Sequence, residues 1–235
     1  MKRSALLLVA LLALSVGFAH AADKKPEKTK KNQAWVAPDF PAYGISTIGM
    51  AQVSSLERNA DNEREFRNAI ETGFGTLPGY KLQSVTWFLD GVRKAGATDA
   101  VGALEKSSLA GLPTDTTAFN SLKGKLNVDA ILFSRLSTWQ RQVVDPNTRG
   151  QSFTQVGGDF ALVSTRDGAI LWRGNFVEKG DGPYNDPNTA EVTERDATGN
   201  STARMAQLEP PSYREVLEKL ANRVRGTMPK PAAKP

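Results

Sequence analysis

The residue types behind most hydrolytic, redox and metal chemistry are nearly missing from this chain. Its 235 residues include no cysteine and a single histidine, His20. Without clustered His and Cys there is no ordinary zinc site, and without a His or Cys partner no Ser-His-Asp or Cys-His relay. Carboxylates remain, and two of them across a cleft can cleave a glycoside without histidine. No spacing here marks such a pair. Asp181, Asp186 and Glu191 miss the EF-hand calcium pattern. The glycine-rich run 73–79 (GFGTLPG) ends a helical pattern instead of opening one, and it lacks the lysine of a phosphate loop. The sequence therefore assigns no catalytic residue, no cofactor and no metal.

Binding chemistry is better represented. Tryptophan and arginine dominate interface hot spots, and four residues are candidates for partner contact. Trp139 and Arg141 alternate along one predicted strand face, together with Ile131, Phe133, Arg135 and Ser137. Trp35 follows a basic stretch, and Tyr184 sits in a polar one. The plainer reading of Trp139 and Arg141 is packing at the edge of the core, with the arginine stem snorkelling to water. Trp87 and Trp172 are read as core residues.

The N-terminus gives an address. Met1-Lys2-Arg3 precedes the apolar run Ala5–Phe18, and Ala19-His20-Ala21 has the A-x-A form of a cleavage site. That run falls short of the roughly 20 apolar residues a spanning helix needs. Residues 1–21 are thus read as a secretory signal peptide cleaved after Ala21, with no transmembrane segment left after its removal. The expected location is the periplasm of a Gram-negative bacterium. Cleavage would also remove the only histidine. With no cysteine at the site, no lipid anchor is expected.

Charge is concentrated at the ends. The whole chain carries +5, and residues 22–33 (ADKKPEKTKKNQ) hold five lysines against two acids. Residues 22–38 are read as a basic disordered linker and 230–235 as a disordered tail, because such compositions bury too little apolar surface to fold. The linker is a solvated spacer, or it makes a weak, salt-screened contact with an anionic surface. The body between the ends has no basic stripe, so nucleic-acid binding is not expected.

The elements that must position the candidates follow from periodicity. Residues 45–53 read as a strand and 61–77 as an amphipathic helix with Phe66, Ile70 and Phe74 on one face. Residues 80–85 read as a strand, and helices are expected near 86–95, 100–107 and 116–126, the last capped by Thr114 or Asp115. Residues 129–144, 154–165 and 169–178 form an antiparallel three-strand meander, its second turn at Arg166-Asp167-Gly168. A long polar loop, 180–211, leads to a final helix at 213–227. The fold class is α/β with a mixed sheet: strand, helix, strand, helices, then the meander and a C-terminal helix, in one domain over 39–229.

Two motifs carry a resemblance. Asn127-Val128-Asp129-Ala130-Ile131-Leu132 opens the meander, and Thr165-Arg166-Asp167-Gly168-Ala169-Ile170-Leu171-Trp172-Arg173-Gly174 contains its second turn. This pattern resembles an α/β domain shared by bacterial envelope accessory proteins. They include the periplasmic domain of the curli secretion channel, the penicillin-binding-protein activator lipoproteins and the N-terminal domain of the Tol-Pal β-propeller protein. The resemblance implies a non-enzymatic protein that binds another envelope component. The alternatives are a small-molecule or lipid carrier, with an apolar pocket between sheet and helices, and a carboxylate-based hydrolase.

Overall fold

A computed structural model describes residues 32–75, 77–186 and 208–231. Residues 1–31, read above as a signal peptide and the start of a linker, residues 187–207 and the last four residues lie outside the described residues.

Seven strands build one mixed sheet: β1 (Gln33–Val36), β2 (Thr47–Met50), β3 (Ser54–Ser55), β4 (Lys81–Gln83), β5 (Ala130–Gln142), β6 (Gly150–Ser164) and β7 (Ile170–Asn185). Their order is β1-β7-β6-β5-β2-β4, with β3 added beside β5. β1, β7, β6 and β5 pair antiparallel, whereas β2, β3 and β4 join in parallel. The helices are α1 (Ala60–Phe74), α2 (Val85–Lys94), α3 (Thr98–Leu109), α4 (Thr116–Leu122) and α5 (Tyr213–Thr227). The expected order of elements and the mixed α/β class are both present.

Local chemistry explains the helix ends. Asn59 caps α1 by accepting from Asp61 N and Asn62 N, and Asp61 and Glu63 favour its positive end. Asp115, not Thr114, caps α4, accepting from Ala118 N at 3.0 Å. Ser212 and Glu215 form a reciprocal capping box on α5.

The sheet divides two cores. One lies under α1 and α5, where Phe66, Ile70 and Phe74 meet Val216, Leu220 and Val224 over Leu132, Phe160 and Leu162. The other lies under α2–α4, where Phe88, Leu104 and Phe119 cover Ile131, Phe133 and Val163. Each fully buried side chain of this size contributes about 1.5–3 kcal/mol. The first core also needs a close approach: a Cβ on Gly158 would stand 2.6 Å from Phe66 Cζ.

Four expectations need correction. A β-bulge between Leu136 and Thr138 adds Ser137 to the ladder. One extra residue reverses the faces of everything beyond it, so Trp139 and Arg141 do not share the face of Ile131, Phe133 and Arg135. Residues 33–36, assigned to the linker, are strand β1 hydrogen-bonded to β7. The loop expected from residue 180 begins later, because β7 continues to Asn185 against β6. Trp87 is not core: it lies on the outer side of α2 and is 68% exposed, while Trp172 is fully buried.

Candidate partner-binding site

The four candidate residues fall into separate places. Trp139 packs on the α1/α5 core and stacks on Tyr213, ring centroids 4.2 Å apart and planes 15° from parallel. Arg141, two residues along the same face, reaches Glu209 and the carbonyl of Pro210, both at 3.4 Å. Thr154 Oγ1 donates to Pro211 O at 2.6 Å. At the other end of α5, Trp172 Nε1 donates to Thr227 O, and Tyr80 OH to Pro229 O. Burial pushes the Tyr80 phenol up to about 12, so it stays a donor throughout the neutral range. Trp139 and Arg141 therefore spend their contacts on this chain's own residues 209–213, where it enters α5. Tyr184 is 60% exposed on β7 in register with Gln151. Trp35 lies on β1 in register with Arg173, far along β7 from Tyr184.

The motif carboxylates hold the fold. Asp129 Oδ2 accepts from Ser46 N, Ser46 Oγ and Thr47 N at 2.8–2.9 Å, fixing the start of β2. Burial alone would raise its pKa, but the bonds from Thr47 and Ser46 prevail and hold it below the ordinary carboxylate value. Asp167 accepts from Ala169 N and Tyr43 OH at the β6–β7 turn. Its pKa is likewise held down: burial would raise it, but the Ala169 N–H, the Ser164 and Tyr43 hydroxyls and the Arg166 charge together prevail. Gly168 supplies the positive φ, 76°, that the turn requires. Asp181 pairs with Lys179 at 2.6 Å and Asp186 with Arg149 at 2.7 Å; Glu191 lies outside the described residues. Among the described residues no three His, Cys, Asp or Glu side chains gather as a metal site.

On the α2–α4 side a polar row crosses the meander. Arg135 Nε and a terminal nitrogen donate to Asp159 Oδ2 at 3.1 and 2.7 Å, and Asn175 Nδ2 donates to Asp159 Oδ1 at 2.6 Å. Glu105 of α3 stands beside this row. Burial raises its pKa, while Ser54 and Arg135 partly offset that. Beyond Arg135 the same face runs through Gln140, Gln142, Gln155 and Lys179, all exposed or half-exposed.

The sheet edge at β1 has a different character. Trp35 is 43% exposed and Val36 38%, and Leu112, next to Gly111 in the chain, is 46% exposed. The Arg173 guanidinium carbon lies 5.9 Å from the Trp35 ring centroid, within range of a cation–π contact. Its other side rests on Gly111, where a Cβ would collide with the guanidinium. Among the described residues no carboxylate reaches ion-pair distance of Arg173. Sequence reading missed Arg173, because only the β1–β7 register brings it to Trp35.

A groove of about 610 Å³ runs between α1 and α5, with Ala69, Gly73 and Ala221 along it and Glu65, Arg214 and Arg225 at its rim. It lies between two helices, whereas the expected apolar pocket lay between sheet and helices. No helix among the described residues is long and apolar enough to cross a membrane.

No family model matches this chain, and no curated protein matches it. Solved structures with a related outline do exist. A lipoprotein of Neisseria meningitidis aligns at 14% identity over 75% of this chain and 99% of its own, with a TM-score of 0.41. A hypothetical protein of Chlamydia trachomatis aligns at 8% identity over 77% and 96%, with a TM-score of 0.43. The PelC dodecamer of Paraburkholderia phytofirmans aligns at 9% identity over 82% and 96%, with a TM-score of 0.38.

Proposed function

We propose that this chain is a non-enzymatic periplasmic accessory protein that binds another cell-envelope component during assembly, secretion or cell-wall synthesis. The observation that carries this reading is the β1 edge, where Trp35 is exposed beside Arg173, an arginine with no carboxylate partner among the described residues, and Val36 is exposed on the opposite face. An aromatic residue and an arginine clustered at one exposed spot are what a protein interface favours. Two motif acids and Asp159 support the same reading. Asp129, Asp159 and Asp167 spend their lone pairs on backbone N–H groups, an arginine, an asparagine and a tyrosine. A carboxylate so committed is a poor general acid or base. The leader-like residues 1–21 supply the address, and the lysines of 24–31 supply a weak contact with anionic surfaces that salt screens.

Chemical cross-linking in native envelope fractions, followed by purification of the tagged full chain, tests the proposal. A specific envelope protein should be recovered in constant ratio, and Trp35→Ala should reduce its yield. Recovery of no specific protein across several cross-linker lengths would contradict the reading.

The α1–α5 groove favours a second reading, a small-molecule carrier, because its size lies in the range of ligand sites. Native mass spectrometry of freshly purified protein should then show a bound mass. A clean apo mass removes this alternative.

A further inference from the structure

We infer that the outer edge of β1 accepts an added β-strand from an acidic, extended segment of a partner protein. This rests on the accessory reading above and specifies how the partner is held.

The ladder defines which backbone groups are free. Ala37 N donates to Leu171 O at 2.9 Å. By the alternation of antiparallel pairing, Trp35 therefore directs its N–H and C=O to β7, while Ala34 and Val36 direct theirs outward. Exposed edges are normally blunted with charge, proline or a bulge. The overhang of β7 follows that rule with Lys179, Asp181 and Pro183, and β4 at the opposite edge carries Lys81. β1 reads Gln-Ala-Trp-Val and carries no such guard within it. Its guards lie just outside. Asn32 adopts φ 61° and caps Val177 N with its side chain at 2.8 Å, which ends the ladder on one side. Pro38 follows on the other side. The open stretch is thus short, bounded and apolar.

Charge selects the occupant. Arg173 is held between Trp35 and Gly111 without a carboxylate partner among the described residues. An incoming strand with an acidic side chain on the Trp35 face, reaching toward Arg173, and apolar side chains on the opposite face beside Ala34 and Val36 would match this edge. A second copy of this chain is disfavoured as the occupant, because β1 contains no carboxylate to offer. Strand addition of this kind draws affinity from backbone bonds and specificity from alternate side chains.

The test titrates isotopically labelled full-length mature protein with an eight-residue peptide alternating valine with threonine and glutamate, read by amide chemical shifts and hydrogen exchange. Two control peptides replace glutamate by lysine, or N-methylate the amides on one edge. We expect the acidic peptide to shift and protect the Ala34 and Val36 amides. Arg173→Gln should weaken its binding about five- to tenfold, and both controls should fail to bind. Equal binding of the lysine peptide or of the N-methylated peptide would overturn the inference. So would concentration-dependent shifts at Ala34 and Val36 without peptide, which would mark a second copy as the occupant. If an envelope protein is still cross-linked while the acidic peptide leaves β1 untouched, the edge proposal falls and the accessory reading stands.

Discussion

Trp139 and Tyr213 lie in stacked contact, 4.2 Å between ring centroids, although a strict strand alternation would put Trp139 on the opposite side of the sheet from α5. The bulge at Ser137 turns it over. The result is a clamp in which Trp139, Arg141 and Thr154 grip residues 209–213 as the chain enters its last helix.

Trp139→Ala should therefore weaken the fold more than it weakens partner binding. The side chain is only half-buried, so we expect a loss of about 2–3 kcal/mol, below the range for a fully buried tryptophan. A double-mutant cycle with Tyr213→Ala should give a coupling of about 1 kcal/mol. Denaturant unfolding measures both.

Asp129 predicts an acid limb. Its folded pKa lies below its unfolded value, so its stabilisation is fully present above the unfolded value and is lost as pH falls through the folded one. Asp129→Asn should cost about 1–2 kcal/mol at pH 7, allowing for solvent screening of a partly exposed group. As pH falls through the folded value the variant and the parent should converge. Unfolding midpoints across pH 2–7 check this.

Glu105 predicts the opposite sign. Burial raises its folded pKa above the unfolded value, so its ionisation opposes folding. Stability falls as pH rises from the unfolded value through the folded one. Glu105→Gln should raise the unfolding midpoint at pH 7 and leave it unchanged at pH 3. A variant less stable than the parent at pH 7 would show that the charge is needed by Arg135.

These contrasts show which parts of the fold the residues announce. Phe66, Ile70 and Phe74 declare the buried face of α1 because helical spacing survives any packing. The Arg166–Gly168 turn is equally visible, since it needs a glycine at positive φ. Trp139 was misplaced because a bulge leaves no mark in the alternation of side chains. β1 is four residues long, too short for period two to stand out after a run of lysines, although Asn32 and Pro38 bracket it. The Asp159 row and the Arg173–Trp35 pair depend on strand register, which no single segment contains.

Gly111→Ala probes the Arg173 seat. Gly111 has φ 67°, and a methyl there meets the guanidinium. The left-handed backbone alone should cost about 1–2 kcal/mol. Displacing the arginine should also change the fluorescence of Trp35, and Arg173→Gln should abolish that difference. Emission spectra of the single and double variants test the point.

Binding of a partner at the β1 edge can be read in intact cells by photoactivating a benzophenone-bearing residue in place of Val36. One defined adduct with an envelope protein is expected, lost when Ala34→Pro removes the outward N–H and absent when the same group replaces Trp87. No adduct from position 36, or an adduct indifferent to Ala34→Pro, would contradict it.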